Sequence, residues 1–316
     1  MSDTRADVLV WGPMHAALTA NLARDYTVHN RWEIADLDHW LDQHGENIQA
    51  IVTSGVYGTE IAVLERLPHL RVVTSFGVGY DALDMAYLAD RGIPVSNTPD
   101  VLNNAVAETA LGLMLAVSRK ISLADRFVRA GEWPKGKFPL GSDLAGKTCG
   151  IVGLGKIGKT IATRAAAFDM KIAYYRRNQP YPDVPYTHYA DLEALARDAD
   201  HLVIIVPGGA DTERLINAQV LKALGPKGLL INVARGSVVD EKALIAALQA
   251  GEMGGAGLDV FEDEPNVPDE LLSMDNVVLT PHIGSGTFET RQAMADLVFA
   301  NLQGFLKDGT LITRVA

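Results

Sequence analysis

Apolar and polar positions change rhythm repeatedly along this chain. Short apolar runs at residues 8–11, 48–52 and 70–74 have the length and composition of buried strands, and a further short strand ends at Val95, ahead of Pro99. Amphipathic stretches at 14–23, 61–67 and 83–89 read as helices between and after them. This alternation predicts a parallel sheet covered on both faces.

A second series starts near Lys147. Strands are expected at 148–152, 171–175, 201–206, 228–233, 256–260 and 277–280, with helices at 157–168, 192–197, 219–224 and 241–249 between most of them. Six strands in this rhythm match a complete doubly wound sheet. Two long helical patterns flank the series, one at 103–130 dominated by Ala, Leu and Met, the other at 289–307. No linker rich in Gly, Ser or Pro separates the halves, so the chain is expected to cross between domains along these helices, the last one packing back on the first domain. The expected division is residues 1–99 with 286–316 in one domain and 100–285 in the other.

Composition narrows the classes of function. The 316 residues suffice for about two domains. Hydrophobic residues at 48% and charged residues at 21% are those of a globular protein, which sets aside disordered and fibrous chains. A net charge of −11 without a long Lys/Arg run argues against nucleic acid or an anionic membrane as partner. An anionic ligand would have to be held by a few local cations. The single cysteine, Cys149, cannot form an intrachain disulfide and fits a reducing compartment. No signal peptide is read at the N-terminus, and the apolar segment 105–117 contains Glu108 and is too short for a bilayer. A cytoplasmic protein is expected, with no metal.

Chemistry concentrates in three places. The first is Gly153-Leu154-Gly155-Lys156-Ile157-Gly158, which follows an expected strand and opens an Ala-rich helix. In that context it is a dinucleotide fingerprint: Gly153 for the tight turn, Gly155 for backbone approach to a pyrophosphate, Gly158 for helix–strand packing. An ordinary glycine-rich turn is the alternative. The second is the end of the next strand, where an NAD enzyme places an acid on the ribose 2′-hydroxyl. Here Arg176 and Arg177 stand instead, and no acid lies between Asp169 and Asp183. Paired guanidiniums suit the 2′-phosphate of NADP, although they also read as a solvated surface pair. The third is a set of polar residues just past three later strands: Arg235, then Asp259 and Glu264, then His282. Ligands of open α/β sheets bind outside the carboxyl ends of strands, so these distant residues can converge on one crevice. Taken singly, each also reads as a turn, loop or core residue.

These motifs resemble the D-isomer-specific 2-hydroxyacid dehydrogenases over essentially the whole chain. The likeness rests on Gly77-Val78-Gly79-Tyr80-Asp81, the Gly153 fingerprint, the stretch from Leu230 to Arg235 and Gly236, Val239-Asp240-Glu241, the run from Asp259 to Glu264 and Pro265, and Thr280-Pro281-His282-Ile283-Gly284. The resemblance implies an α/β protein of two doubly wound parallel-sheet domains, a Rossmann cofactor domain (100–285) and a flavodoxin-like substrate domain, with a cleft between them. It implies Arg235 as the ligand of the 2-oxo acid, His282 as acid/base and Glu264 as its carboxylate partner. The backbone at Val78 and Gly79 would hold the substrate carboxylate. Asp259 would touch the nicotinamide side, Val206, Pro207 and Thr212 would line the adenosine half, and Val233, Ala234 and Gly284 would also bind the cofactor.

Within the family the chain is most similar to NADPH-preferring hydroxypyruvate/glyoxylate reductases and to hydroxyphenylpyruvate reductases. Formate dehydrogenases of the family carry Gln where Glu264 stands, which disfavours formate oxidation. The implied reaction is hydride transfer from NADPH, in preference to NADH, to C2 of a small anionic 2-oxo acid. His282 donates a proton to the carbonyl oxygen, and Arg235 bridges carbonyl and carboxylate. Bulkier substrates such as hydroxyphenylpyruvate or 2-ketogluconate remain open, with the loop Ser54-Gly55-Val56-Tyr57 contributing to pocket size. A cofactor-sensing corepressor on the same fold is the alternative from another class. The family also implies a homodimer through the helix after Asn103, with Trp133 and Phe138 reaching toward the partner.

Overall fold

The computed structural model describes residues 5–315. The chain divides into two compact units, one formed by the residues up to Leu102 with the segment from Thr287 onward, the other by Asn103–Gly286.

The first unit runs β1 (Asp7–Val10), α1 (Ala16–Asp25), β2 (Thr27–Asn30), α2 (Leu37–His44), β3 (Ile48–Ser54), α3 (Ile61–Leu64), β4 (Val72–Phe76), α4 (Met85–Asp90) and β5 (Val95–Ser96). The strands are all parallel, in the order β2-β1-β3-β4-β5. Every residue of β4 is buried and β3 nearly so, which is why these strands read as continuous apolar runs without alternation. Leu9, Ile51, Leu64, Val73 and Leu88 form the centre of the core. Asp36 and Asp84 start α2 and α4 by accepting the N–H groups of His39 and Tyr87 at 3.0 and 2.9 Å. Strand β2 and helix α2 are additions to the expected elements. As an edge strand, β2 pairs only with β1, and its sequence Thr27-Val28-His29-Asn30 carries no apolar run.

The second unit runs α5 (Asn103–Ser118), α6 (Ile121–Arg129), β6 (Thr148–Val152), α7 (Lys156–Ala166), β7 (Lys171–Tyr175), β8 (Thr187–Tyr189), α8 (Leu192–Asp198), β9 (His201–Ile204), α9 (Ala218–Leu224), β10 (Leu229–Asn232), α10 (Glu241–Gln249), β11 (Gly255–Leu258), α11 (Asp269–Leu272) and β12 (Val277–Leu279). Its sheet has seven parallel strands, β12-β11-β10-β9-β6-β7-β8, one more than the six expected. The extra strand, β8, is a three-residue edge. The expected helix 103–130 is two helices, because Lys120 takes a left-handed φ of +55° and ends the run. Strand order reverses between β6 and β9. Their carboxyl ends therefore part at a switch point, where doubly wound sheets bind ligands.

Helix α12 (Phe288–Asp308) belongs to the first unit and packs on β4 and α1. Thr287 caps its start by accepting Thr290 N at 3.1 Å, and Gly309 at φ +82° ends it. The tail beyond then joins the β5 edge: Val315 N donates to Val95 O at 2.8 Å and Thr313 Oγ1 to Asn97 O at 2.6 Å. Among the described residues no helix is long and apolar enough to cross a membrane.

Candidate active site

The turn out of β6 is built by its glycines. Gly153 has φ +108°, and a Cβ there would lie 2.6 Å from Ile205 O. A Cβ on Gly158 would strike Gly153 O, so only glycine lets α7 approach this closely. Gly155 differs from both: a Cβ on it would meet nothing within 4 Å. It opens α7 without a side-chain cap, and the first turn of α7 carries no acid. A helix N-terminus with no side-chain cap, no acid in its first turn and room beside its opening glycine fits an anion, and thus the pyrophosphate of a dinucleotide.

At the end of β7, Arg176 Nη1 donates to Gln179 O at 2.9 Å and its guanidinium lies 4.0 Å from the Tyr181 ring centroid. Arg177 Nε donates to Tyr175 Oη at 3.2 Å. Past β9, the Thr212 hydroxyl closes its own loop by donating to Pro207 O at 2.6 Å.

Arg235, Glu264 and His282 come from three strand ends of the second unit. Asn232, buried at the last position of β10, accepts Ala234 N at 3.1 Å and donates to Arg235 O at 2.9 Å, and so sets the backbone that carries the arginine. Arg235 Nη1 bonds Ala234 O at 2.8 Å. A Cβ on Gly236 would clash with the Phe261 carbonyl, so this turn lies directly against the segment leading to Glu264.

Glu264 Oε1 accepts Phe261 N at 3.1 Å, and Oε2 pairs with His282 Nδ1 at 2.7 Å. Burial works against a charged Glu264. The bond and charge of His282, the Phe261 N–H and the charge of Arg235 outweigh it and hold the carboxyl below its ordinary value. The two neighbouring acids are engaged elsewhere, Glu262 with Arg214 at 3.1 Å and Asp263 with Asn266.

His282 takes a left-handed φ of +52°. The turn is held from beneath by Asp259, which is 1% exposed. Asp259 Oδ1 accepts Thr280 Oγ1 at 2.7 Å and Ile283 N at 2.8 Å, and Oδ2 accepts Gly284 N at 2.8 Å. Asp259, Thr280 and Asn232 thus fix the polar trio in place. The anchoring roles of Thr280 and Asn232 escape sequence reading, whose only signal is a polar residue at the end of an apolar strand.

Val78 and Gly79 lie in the first unit, just past β4. Their loop is tied by Gly77 N to Thr98 Oγ1 at 3.1 Å and by Asn97 Nδ2 to Val78 O at 2.8 Å. The N–H groups of Val78 and Gly79 meet no acceptor among the described residues. No cluster of three or more His, Cys, Asp or Glu suited to a metal occurs among the described residues.

Residues 111–284 match the family model "D-isomer specific 2-hydroxyacid dehydrogenase, NAD binding domain". The chain is 45% identical to the glyoxylate/hydroxypyruvate reductase A of Arabidopsis thaliana and 44% identical to the hydroxyphenylpyruvate reductase of Plectranthus scutellarioides, each match covering 98% of both chains. Its fold superposes with a TM-score of 0.91 on the NADPH-dependent glyoxylate/hydroxypyruvate reductase of Sinorhizobium meliloti, solved with NADP and malonate. That protein is 43% identical, with 99% of this chain and 97% of the other covered.

Proposed function

Because the chain belongs to the D-isomer-specific 2-hydroxyacid dehydrogenase family, we propose that this enzyme reduces a small 2-oxo acid, glyoxylate or hydroxypyruvate, to the D-2-hydroxy acid with NADPH. One observation carries the reading. His282 gives Nδ1 to Glu264 at 2.7 Å, which leaves Nε2 to face a substrate, on the same unit as the Arg235 fork.

When bound, NADPH would supply the hydride delivered to C2 of the oxo acid. Gly153 to Gly158 and the first N–H groups of α7 would hold its pyrophosphate, with Arg176 and Arg177 at the 2′-phosphate. Val206, Pro207 and Thr212 would line the adenosine half, and Val233, Ala234 and Gly284 the nicotinamide end, where Asp259 fixes Gly284.

The protein's own groups do the rest. The Val78 and Gly79 N–H groups receive the substrate carboxylate. Arg235 spans carboxylate and carbonyl oxygen, which a rigid planar fork can do and a point charge cannot. His282, as imidazolium, donates the Nε2 proton to the carbonyl oxygen as negative charge grows there. Glu264 keeps the ring oriented through its bond to Nδ1. An acidic protein thereby meets an anion with a few fixed cations and backbone donors.

The reading extends to a cytoplasmic homodimer assembled through the helical stretch after Asn103, α5 with α6. Large apolar side chains stand exposed on α6 and the segment after it: Ile121, Val128, Trp133 and Leu140, the last 92% exposed.

The test is a panel of glyoxylate, hydroxypyruvate, pyruvate, hydroxyphenylpyruvate and 2-ketogluconate with both NADPH and NADH. Fastest turnover of glyoxylate or hydroxypyruvate with NADPH is expected. Faster turnover of the larger acids would move the assignment to a bulkier substrate. Cofactor binding without turnover would favour a cofactor-sensing protein.

A further inference from the structure

The segment between β7 and β8 holds an aromatic residue, Tyr181, to which the reaction above gives no part. One aromatic ring collects two cations. The Arg176 guanidinium carbon lies 4.0 Å from the Tyr181 ring centroid, and Lys159 Nζ lies 5.4 Å from it. Lys159 sits in the first turn of α7 and is tethered to Asp183 at 2.8 Å.

Tyr181 is itself held by the sheet. Its backbone N donates to Tyr174 Oη at 2.8 Å, and Tyr174 is a fully buried residue of β7 with its ring centroid 5.8 Å from that of Tyr181. His188 braces the same place, with Nε2 bonded to Arg176 O at 2.8 Å and its ring 5.3 Å from Tyr174. A line of contacts therefore runs from the core through Tyr174 and Tyr181 to Arg176. Arg177 has no such ring beneath it among the described residues.

A guanidinium on a flexible stem must be ordered before it can grip a phosphate, and a stacked one is ordered already. Stacking uses the face of the group. Its N–H donors point outward in the plane, and those that Gln179 O does not take stay available to an anion.

On the premise that the cofactor is NADPH, we infer that Tyr181 is the positioning residue for the 2′-phosphate, holding Arg176 ordered on its ring with Lys159 as a second cation beside it. The two arginines are then unequal: Arg176 is held by the Tyr181 ring and Gln179 O, Arg177 by a single bond to Tyr175 Oη. A purely structural role for the ring would be to brace the loop, which would affect any adenosine ligand alike.

Calorimetric titration of the full chain separates these cases. The probes are adenosine 2′,5′-bisphosphate and 5′-AMP, which differ only in the 2′-phosphate. The wild type is expected to prefer the bisphosphate. Y181A should bind the bisphosphate about threefold to fivefold more weakly, the range of a solvent-exposed cation–π contact, with 5′-AMP unchanged. Y181F keeps the ring and should behave as wild type. R176A should lose at least as much as Y181A, and the double variant no more than R176A alone, because the tyrosine acts through the arginine. Equal weakening of both ligands in Y181A, or losses that add in the double variant, overturn the inference. A Y181A protein that discriminates as well as wild type overturns it too, while leaving the NADPH reading intact. A wild type that binds the two probes equally overturns both.

Discussion

Asp259 Oδ2 accepts the backbone N–H of Gly284 at 2.8 Å, two residues past His282. With Thr280 Oγ1 and Ile283 N on Oδ1, this one buried carboxylate closes the turn in which His282 sits at φ +52°. An amide in its place can accept through only one atom, so at least one buried N–H loses its partner. D259N is expected to lower kcat by about a hundredfold through misplacement of the imidazole, and to cost about 1–3 kcal/mol of stability. Steady-state kinetics beside a urea melt checks both, and a kcat within twofold of wild type would remove Asp259 from this role.

Glu264 and His282 share one interaction, so neutralising the carboxylate withdraws support from the charged ring. In E264Q the Nδ1 bond loses its charged acceptor and the ring its fixed orientation, so kcat for reduction should fall by about tenfold or more with NADPH affinity retained. A kcat within twofold of wild type would dissolve the pair as a functional unit.

Arg235 Nη1 is bonded to Ala234 O at 2.8 Å, which fixes the plane of the fork. R235K keeps the charge but loses that plane. Its kcat/KM should fall by at least about a hundredfold, with NADPH affinity retained. Near-normal kcat/KM would place the substrate elsewhere.

A different histidine governs acid stability. His201 is 2% exposed; Nε2 pairs with Ser118 Oγ at 2.8 Å, while Nδ1 has no partner among the described residues. Burial pushes it down from 6.5 to about 4, a fall that Lys147 deepens and Asp200 partly offsets. The unfolded chain thus takes up this proton first as pH falls. Stability present above pH 6.5 is lost on the way down through 4, to a total of about 3 kcal/mol. H201Q should flatten the fall in urea midpoint between pH 7 and pH 4.5. An unchanged slope would assign acid lability to other groups.

Much of this was legible in the residues. Central parallel strands are buried on both faces, so β3, β4 and β6 appear as apolar runs. The edge strands β2 and β8 do not, since Thr27-Val28-His29-Asn30 and Thr187-His188-Tyr189 bury little and gain their pairing from a single neighbour. The break at Lys120 has no signal in Ser118-Arg119-Lys120, because any of these residues continues a helix acceptably. At the site, Arg235, Glu264 and His282 stand out through motif and strand-end placement. Asn232 and Thr280 do not: their work is to bond backbone and carboxylate, which exists only once the strands are side by side. The unequal surroundings of Arg176 and Arg177 likewise depend on Tyr181, which lies beyond a loop that periodicity leaves blank.

The first unit is discontinuous, and that has a consequence for biosynthesis. Its sheet is laid down early, but α12, which covers β4, and the tail that bonds Val95 and Asn97 are translated only after the whole of the second unit. The second unit is a single uninterrupted segment that can mature on the ribosome while the first still lacks its closing helix. Translation order and completion order are therefore inverted. The loop at Val78 and Gly79, directly after β4, acquires its final support only after the second unit has been made, so nascent protein, or protein clipped ahead of α12, would carry a finished second unit ahead of a finished Val78–Gly79 loop.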